Sequence, residues 1–159
     1  MYERQLTKEQ ALKKLKHYCA YQERSHSEVK EKLYSVGISK KHHDQITATL
    51  IEEGYLNEER FAIAFAGGKF RVKQWGRVKI IYELKQKQVS AYNIKKALKA
   101  IDLADYLKTL QKLYKEKWNN LKDEEDWLIR LTKTKNYLLQ KGYEAEMIKE
   151  VTENKNVEI

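Results

Sequence analysis

The chain is expected to be all-α: three tandem three-helix repeats forming an elongated helical protein that can curve. Three observations predict this. Turn-forming residues are scarce, with no Pro and only 6 Gly in 159 residues, whereas sandwiches and barrels need many. Apolar residues recur at helical spacing along almost the whole length. A common pattern also returns after about 51 and then about 54 residues.

Thr7-Lys8-Glu9-Gln10 has capping-box spacing and opens a first helix through Ala11, Leu12, Leu15 and Tyr18 or Cys19. Ser25-His26-Ser27-Glu28 is a second such box. It starts a helix with Val29 and Leu33 inward, which Gly37 ends in a left-handed turn. Ser39 is expected to cap a third helix through Ile46, Leu50 and Ile51, stopped by Gly54, and Asn57 to cap a fourth. The fourth carries the stripe Phe61, Phe65, Gly68, Val72 and Trp75, one face of a long helix, until Trp75-Gly76 breaks it. That phase places Trp75 in the core rather than on a stacking platform; Tyr55, Phe61 and Phe65 read as core as well. Arg60 follows its cap and is expected to pair with a nearby acid. Arg77 to Lys87 forms the next helix, and Ser90 caps one with Ile94, Ala97, Leu98 and Ile101 inward. Asp102 starts the Leu103–Trp118 helix. The acids of Asp123 to Asp126 suit the start of a helix through Trp127, Leu131 and Leu138, ended by Gly142. A short helix with Met147, Ile148 and Val151 follows. Trp118, Trp127 and most of the tyrosines read as packing.

The repeat aligns Val29, Leu33, Gly37 and Ile38 with Ile80, Leu84, Gln88 and Val89, and these with Thr134, Leu138, Gly142 and Tyr143. An apolar helix follows each, at Ile46, Ile94 and Ile148. The expected boundaries are 1–55, 56–101 and 102–153, with a tail at 154–159. Each copy is long helix, shorter helix, turn, short helix, and stacked copies share a continuous core.

Charge is unevenly placed. Between Lys69 and Ile101 stand ten basic residues and one acid, Glu83, so this stretch holds the whole net charge of +9 and the rest of the chain balances. A basic middle on a neutral body suggests an anionic partner. The candidate contact residues are Arg71, Lys73, Arg77 and Lys79, which flank the Trp75-Gly76 break, extended by Lys69, Lys85 and Lys87.

Two strings carry a family resemblance. One is Glu53-Gly54-Tyr55-Leu56-Asn57-Glu58-Glu59-Arg60-Phe61-Ala62, continued by Lys69, Trp75-Gly76, Lys79-Ile80 and Glu83-Leu84. The other is Glu23-Arg24-Ser25, Glu28-Val29, Lys32-Leu33 and Gly37. They resemble the RecX family, and Tyr137-Leu138 with Lys141-Gly142-Tyr143 extends the likeness in outline, to about residues 8–152. The resemblance implies three three-helix units and a regulator that binds RecA filaments on DNA, lies along their groove and modulates, usually inhibits, recombinase and ATPase activity. It implies no catalytic residue and no cofactor. The sequence departs from the family pattern at Gln88, where a Gly is usual, and at Gly67-Gly68 within a helix, which suggests a kink or a close backbone contact.

Other classes find little support. His42-His43-Asp44 reads as a solvated helix start, since adjacent histidines point about 100° apart and cannot share a metal. No Walker loop, Gly-rich phosphate turn or nucleophile elbow occurs. The single cysteine, Cys19, excludes an internal disulfide framework and suits a reducing compartment. The opening residues lack an apolar h-region and no stretch reaches membrane-spanning length, so neither a signal peptide nor a membrane span is expected. The expectation is a cytoplasmic, monomeric, non-enzymatic protein with weak direct DNA binding. The rival reading is a helical module acting on DNA alone, without a recombinase partner.

Overall fold

The computed structural model describes residues 6–153; the expected tail at 154–159 lies outside the described residues. Those residues form nine α-helices and no strand. The helices are α1 (Lys8–Tyr21), α2 (His26–Ser35), α3 (His43–Glu52), α4 (Glu58–Gly68), α5 (Arg77–Gln86), α6 (Ala91–Lys99), α7 (Leu103–Asn120), α8 (Trp127–Gln140) and α9 (Ala145–Glu153).

Local chemistry sets most helix starts. Thr7 and Ser25 both form complete capping boxes, with Gln10 and Glu28. Asn57 accepts from the Arg60 amide, Ser90 from Asn93, Asp102 from Ala104, and Asp126 from Leu128 and Ile129. Each such cap contributes about 1 kcal/mol. Ser39 does not behave this way. It makes no capping bond, and a 3-10 turn, Lys40–His42, intervenes before α3. That turn carries His43 inward to 4% exposure, with Nε2 2.8 Å from the Ile38 carbonyl. His43 is therefore a buried residue at the start of α3, not a solvated one.

The chain divides into two compact units. The first holds the described residues up to Phe65 together with Leu84–Ala97. Its α1, α2 and α3 pack mutually around Ala11, Leu15, Cys19, Val29, Leu33, Ile46 and Leu50, closed by Ile38 and Leu56. Tyr55 packs against this core while partly exposed, and Ile51 faces outward. Arg60 pairs with Glu23 at 2.5 Å and donates to the Gly54 carbonyl, so it closes the α3–α4 turn.

The second unit holds Ala66–Glu83 and the described residues from Leu98 to 153. Here α7, α8 and α9 pack mutually. Tyr106, Leu110, Leu113, Tyr114, Leu138, Tyr143 and Ile148 are buried. Trp118 is buried too, but Trp127 is 63% exposed and only meets the edge of Trp118. Of the described tyrosines, Tyr21, Tyr34, Tyr82 and Tyr92 are exposed, while Tyr18, Tyr55, Tyr106, Tyr114, Tyr137 and Tyr143 are buried or half-buried, as expected of most.

The apolar stripe of α4 does not continue as one face. After Gly68 the helix widens into a π turn, Lys69–Lys73, which ends at Gln74 in the left-handed conformation (φ 57°). A wider turn advances the register by one residue, about 100° around the axis. Phe70 accordingly turns inward and packs against Tyr106, whereas Val72 is 78% exposed. Phe65 and Trp75 are half-buried.

Candidate binding surface

The seven basic residues singled out by the sequence fall into two groups. Lys69, Arg71, Lys73, Arg77 and Lys79 belong to the second unit; Lys85 and Lys87 belong to the first.

In the second unit the Trp75-Gly76 break organises the basic residues. Gly76 is buried against the turn after α8: its N–H donates to the Lys141 carbonyl and that of Val78 to the Gly142 carbonyl, both at 2.8 Å. A Cβ on Gly76 would lie 2.4 Å from the backbone of Gly142, and one on Gly142 would lie 2.7 Å from the backbone nitrogen of Lys79. Both glycines are thus fixed by backbone meeting backbone. The Tyr143 hydroxyl donates to the Gln74 carbonyl and the Lys141 ammonium to the Lys73 carbonyl, each at 3.0 Å. These contacts hold Trp75 half-buried, with the ammonium groups of Lys69 and Lys79 at 5.1 and 4.6 Å from its ring centroid. At such distances the indole face stabilises each cation by about 0.5–1 kcal/mol.

Arg77 is engaged differently. Its guanidinium lies 4.2 Å from the Tyr106 ring centroid and 3.1 Å from the Glu144 carboxylate. The Arg77 amide donates to the Tyr106 hydroxyl, and that hydroxyl donates in turn to Glu144. Burial pushes the Tyr106 phenol well above its ordinary value; the Arg77 amide works against this and the hydrogen bond to Glu144 adds to it. Tyr143 is raised chiefly by burial as well. Arg77 therefore ties α5 to α7 and α9, and its charge is largely spent inside the unit. Arg71 and Lys73 are exposed. The Arg71 guanidinium rests against Gly67, where a Cβ would lie 2.8 Å from Nη1. That gives Gly67 its close contact, while Gly68 stands in open space at the entry to the π turn.

In the first unit Lys85 is exposed. Lys87 reaches Glu28 at 3.5 Å and the Phe65 ring at 5.8 Å, and its carbonyl accepts from the Ser27 hydroxyl at 2.9 Å. On α6, Tyr92 is 65% exposed with Lys96 at 5.5 Å from its ring, beside exposed Lys95.

Sequence reasoning missed Lys141, Glu144 and Tyr143 as partners of the Trp75-Gly76 break. The signal available was the Gly142 left-handed turn, whose role in contact could not be read from spacing. Among the described residues no helix is long and apolar enough to cross a membrane.

Family comparison gives this geometry its context. RecX's second three-helix domain matches residues 57–98, and its third matches residues 104–152. The chain belongs to the RecX family. It is 32% identical over 125 residues to regulatory protein RecX of Clostridium tetani, covering 78% of this chain and 57% of that protein. It is 31% identical over 140 residues to regulatory protein RecX of Clostridium perfringens strain 13, covering 85% and 65%. The chain thus spans a little over half to two thirds of the length of these RecX relatives. Two crystal structures share the fold. A regulatory protein RecX has TM-score 0.84 at 18% identity, covering 92% of this chain and 73% of the other. RecX from Lactobacillus salivarius has TM-score 0.82 at 21% identity, covering 91% and 94%. The RecX matches include Trp75, Gly76, Arg77 and Gly142.

Proposed function

We propose that this chain is a non-enzymatic, cytoplasmic regulator that binds RecA filaments on DNA as a monomer and lowers their ATPase and recombinase activity. Membership of the RecX family is the observation that carries this reading, and relatives bearing the name regulatory protein RecX support a regulatory role. Three three-helix copies, at 1–55, 56–101 and 102–153, would present repeated contacts to a helical lattice. Weak contacts to successive subunits then add through effective concentration. No chemistry on the chain is required: bridging neighbouring subunits restrains the interface at which nucleotide is turned over.

The side chains proposed to make contact are Lys69, Arg71, Lys73, Lys79 and Lys85, with smaller parts for Arg77 and Lys87. Exposed Arg71 and Lys73 and the Trp75-flanking Lys69 and Lys79 support the larger role. The ion pairs of Arg77 with Glu144 and of Lys87 with Glu28 support the smaller one.

A second reading, direct action on DNA, draws on exposed Tyr92 beside Lys95 and Lys96, since an aromatic face among cations can stack a base. Fluorescence anisotropy on labelled single-stranded DNA, naked and coated with RecA and ATP, separates the two. Tight binding to the filament and weak, strongly salt-dependent binding to naked DNA are expected. Equal affinity for both would overturn the filament reading in favour of a plain DNA-binding module.

A further inference from the structure

A basic pocket of about 520 Å³ lies in the first unit, among α2, the 3-10 turn and the start of α3. Lys30, Lys40 and Lys41 line it together with His26 and His43, and Asp44 is its one acid. The three lysines are exposed and carry no function in the fold described above. His43 is the buried member of the wall. Its Nε2 must donate to the Ile38 carbonyl, so Nδ1 is the open position of the ring, and it is a buried atom without a hydrogen-bonding partner. An unpartnered buried nitrogen is costly in a site that does nothing. With Nε2 donating, Nδ1 is left as an acceptor, open to the hydroxyl of a hydrogen phosphate. α3 itself adds little: the His43 amide already donates to the Lys40 carbonyl of the 3-10 turn, and Asp44 stands in the first turn of the helix.

We infer that this pocket binds the phosphate group of a phosphate-bearing ligand. Three ammonium groups suit a multiply charged oxyanion, and an accepting ring nitrogen suits one that carries a hydroxyl, as hydrogen phosphate does. A single carboxylate is better matched by the planar fork of an arginine, and none lines the pocket. The volume exceeds one oxyanion and falls in the range that takes a nucleotide-sized ligand. The pocket precedes both matched RecX domains in the chain, and none of its lining residues is among the proposed RecA contacts.

Inorganic phosphate and then pyrophosphate, titrated into the full chain, would be followed through the NMR signals of the His26 and His43 rings and the Thr47 amide. Saturable shifts confined to the pocket are expected, with pyrophosphate binding more tightly than phosphate. Lys40→Gln/Lys41→Gln and, separately, Lys30→Gln should weaken binding, the double variant by about tenfold or more. Lys115→Gln on α7 removes the same charge elsewhere and should leave it unchanged. A short single-stranded oligonucleotide that shifts the same signals would assign the phosphate to a nucleic-acid backbone; a nucleoside triphosphate that shifts them when the oligonucleotide does not would assign it to a free nucleotide. Shifts that fail to saturate, or that persist with unchanged affinity in both folded pocket variants, would overturn the inference.

Discussion

Two joints in this molecule occupy equivalent positions but are made of different material. In the first unit the start of α2 meets the turn after α5 through side chains. Ser27 donates to the Lys87 carbonyl, Lys87 reaches Glu28, and His26 lies 4.0 Å from Glu58. In the second unit the start of α5 meets the turn after α8 backbone to backbone, through the amides of Gly76 and Val78 and the carbonyls of Lys141 and Gly142. The repeat spacing places Ser25 opposite Gly76, His26 opposite Arg77, and Gln88 opposite Gly142. The three turn residues Gly37, Gln88 and Gly142 all have positive φ, at 79°, 60° and 98°. What separates them is contact. A side chain is accommodated at 88, where side chains bridge the joint; at 142 a Cβ would strike the backbone of Lys79. The missing glycine of the second copy is therefore a consequence of a looser joint, tolerated at the modest cost of a left-handed Gln.

The comparison can be broken most strongly at the tight joint. Gly76→Ala should lower stability by roughly 3 kcal/mol or more, because backbone on both sides must move; chemical denaturation would measure it. A loss below that of an ordinary surface substitution would remove the close-packed joint from the account. Glu144→Gln should cost about 1–3 kcal/mol by depriving Arg77 and Tyr106 of their charged partner. A double-mutant cycle with Arg77→Met should show coupling between the two. On the loose side, Ser27→Ala should cost only about 1 kcal/mol in the same assay. Gln88→Gly is the smallest effect, between neutral and a gain of about 1 kcal/mol, as left-handed strain is relieved.

Alkaline pH tests the tight joint without mutation. Tyr106 and Tyr143 are raised in the folded state. A raised phenol contributes stability fully present below the ordinary tyrosine value of about 10, and lost progressively above it. The expected outcome is falling stability above that pH. The phenolate absorbance of these two tyrosines should appear only with unfolding, and Tyr106→Phe should flatten the pH dependence.

Local signals carried most of the fold into the sequence. Capping boxes at Thr7 and Ser25, and caps at Asn57, Ser90, Asp102 and Asp126, depend on neighbours within three residues and stand where spacing put them. The helix past Gly68 was not legible, because a π turn changes phase without changing composition; Val72 and Phe70 exchange roles as a result. His43 was misread because a 3-10 turn, not Ser39, leads into α3. The candidate surface was legible in charge and not in engagement. Arg77 and Lys79 look alike in sequence, but Arg77 meets an acid 67 residues away, while Lys79 sits beside Trp75. Only the fold decides which basic residues keep their charge for a partner.

The most direct test is the single-strand-DNA-dependent ATPase rate of the cognate RecA, titrated with this chain at substoichiometric ratios. The variant for comparison is Arg71→Glu/Lys73→Glu/Lys79→Glu, which leaves the Arg77–Glu144 pair intact. The account predicts suppression by the natural chain and loss of suppression in a variant that melts as the natural chain does. An unchanged rate with the natural chain, at concentrations where it binds naked DNA, would contradict it.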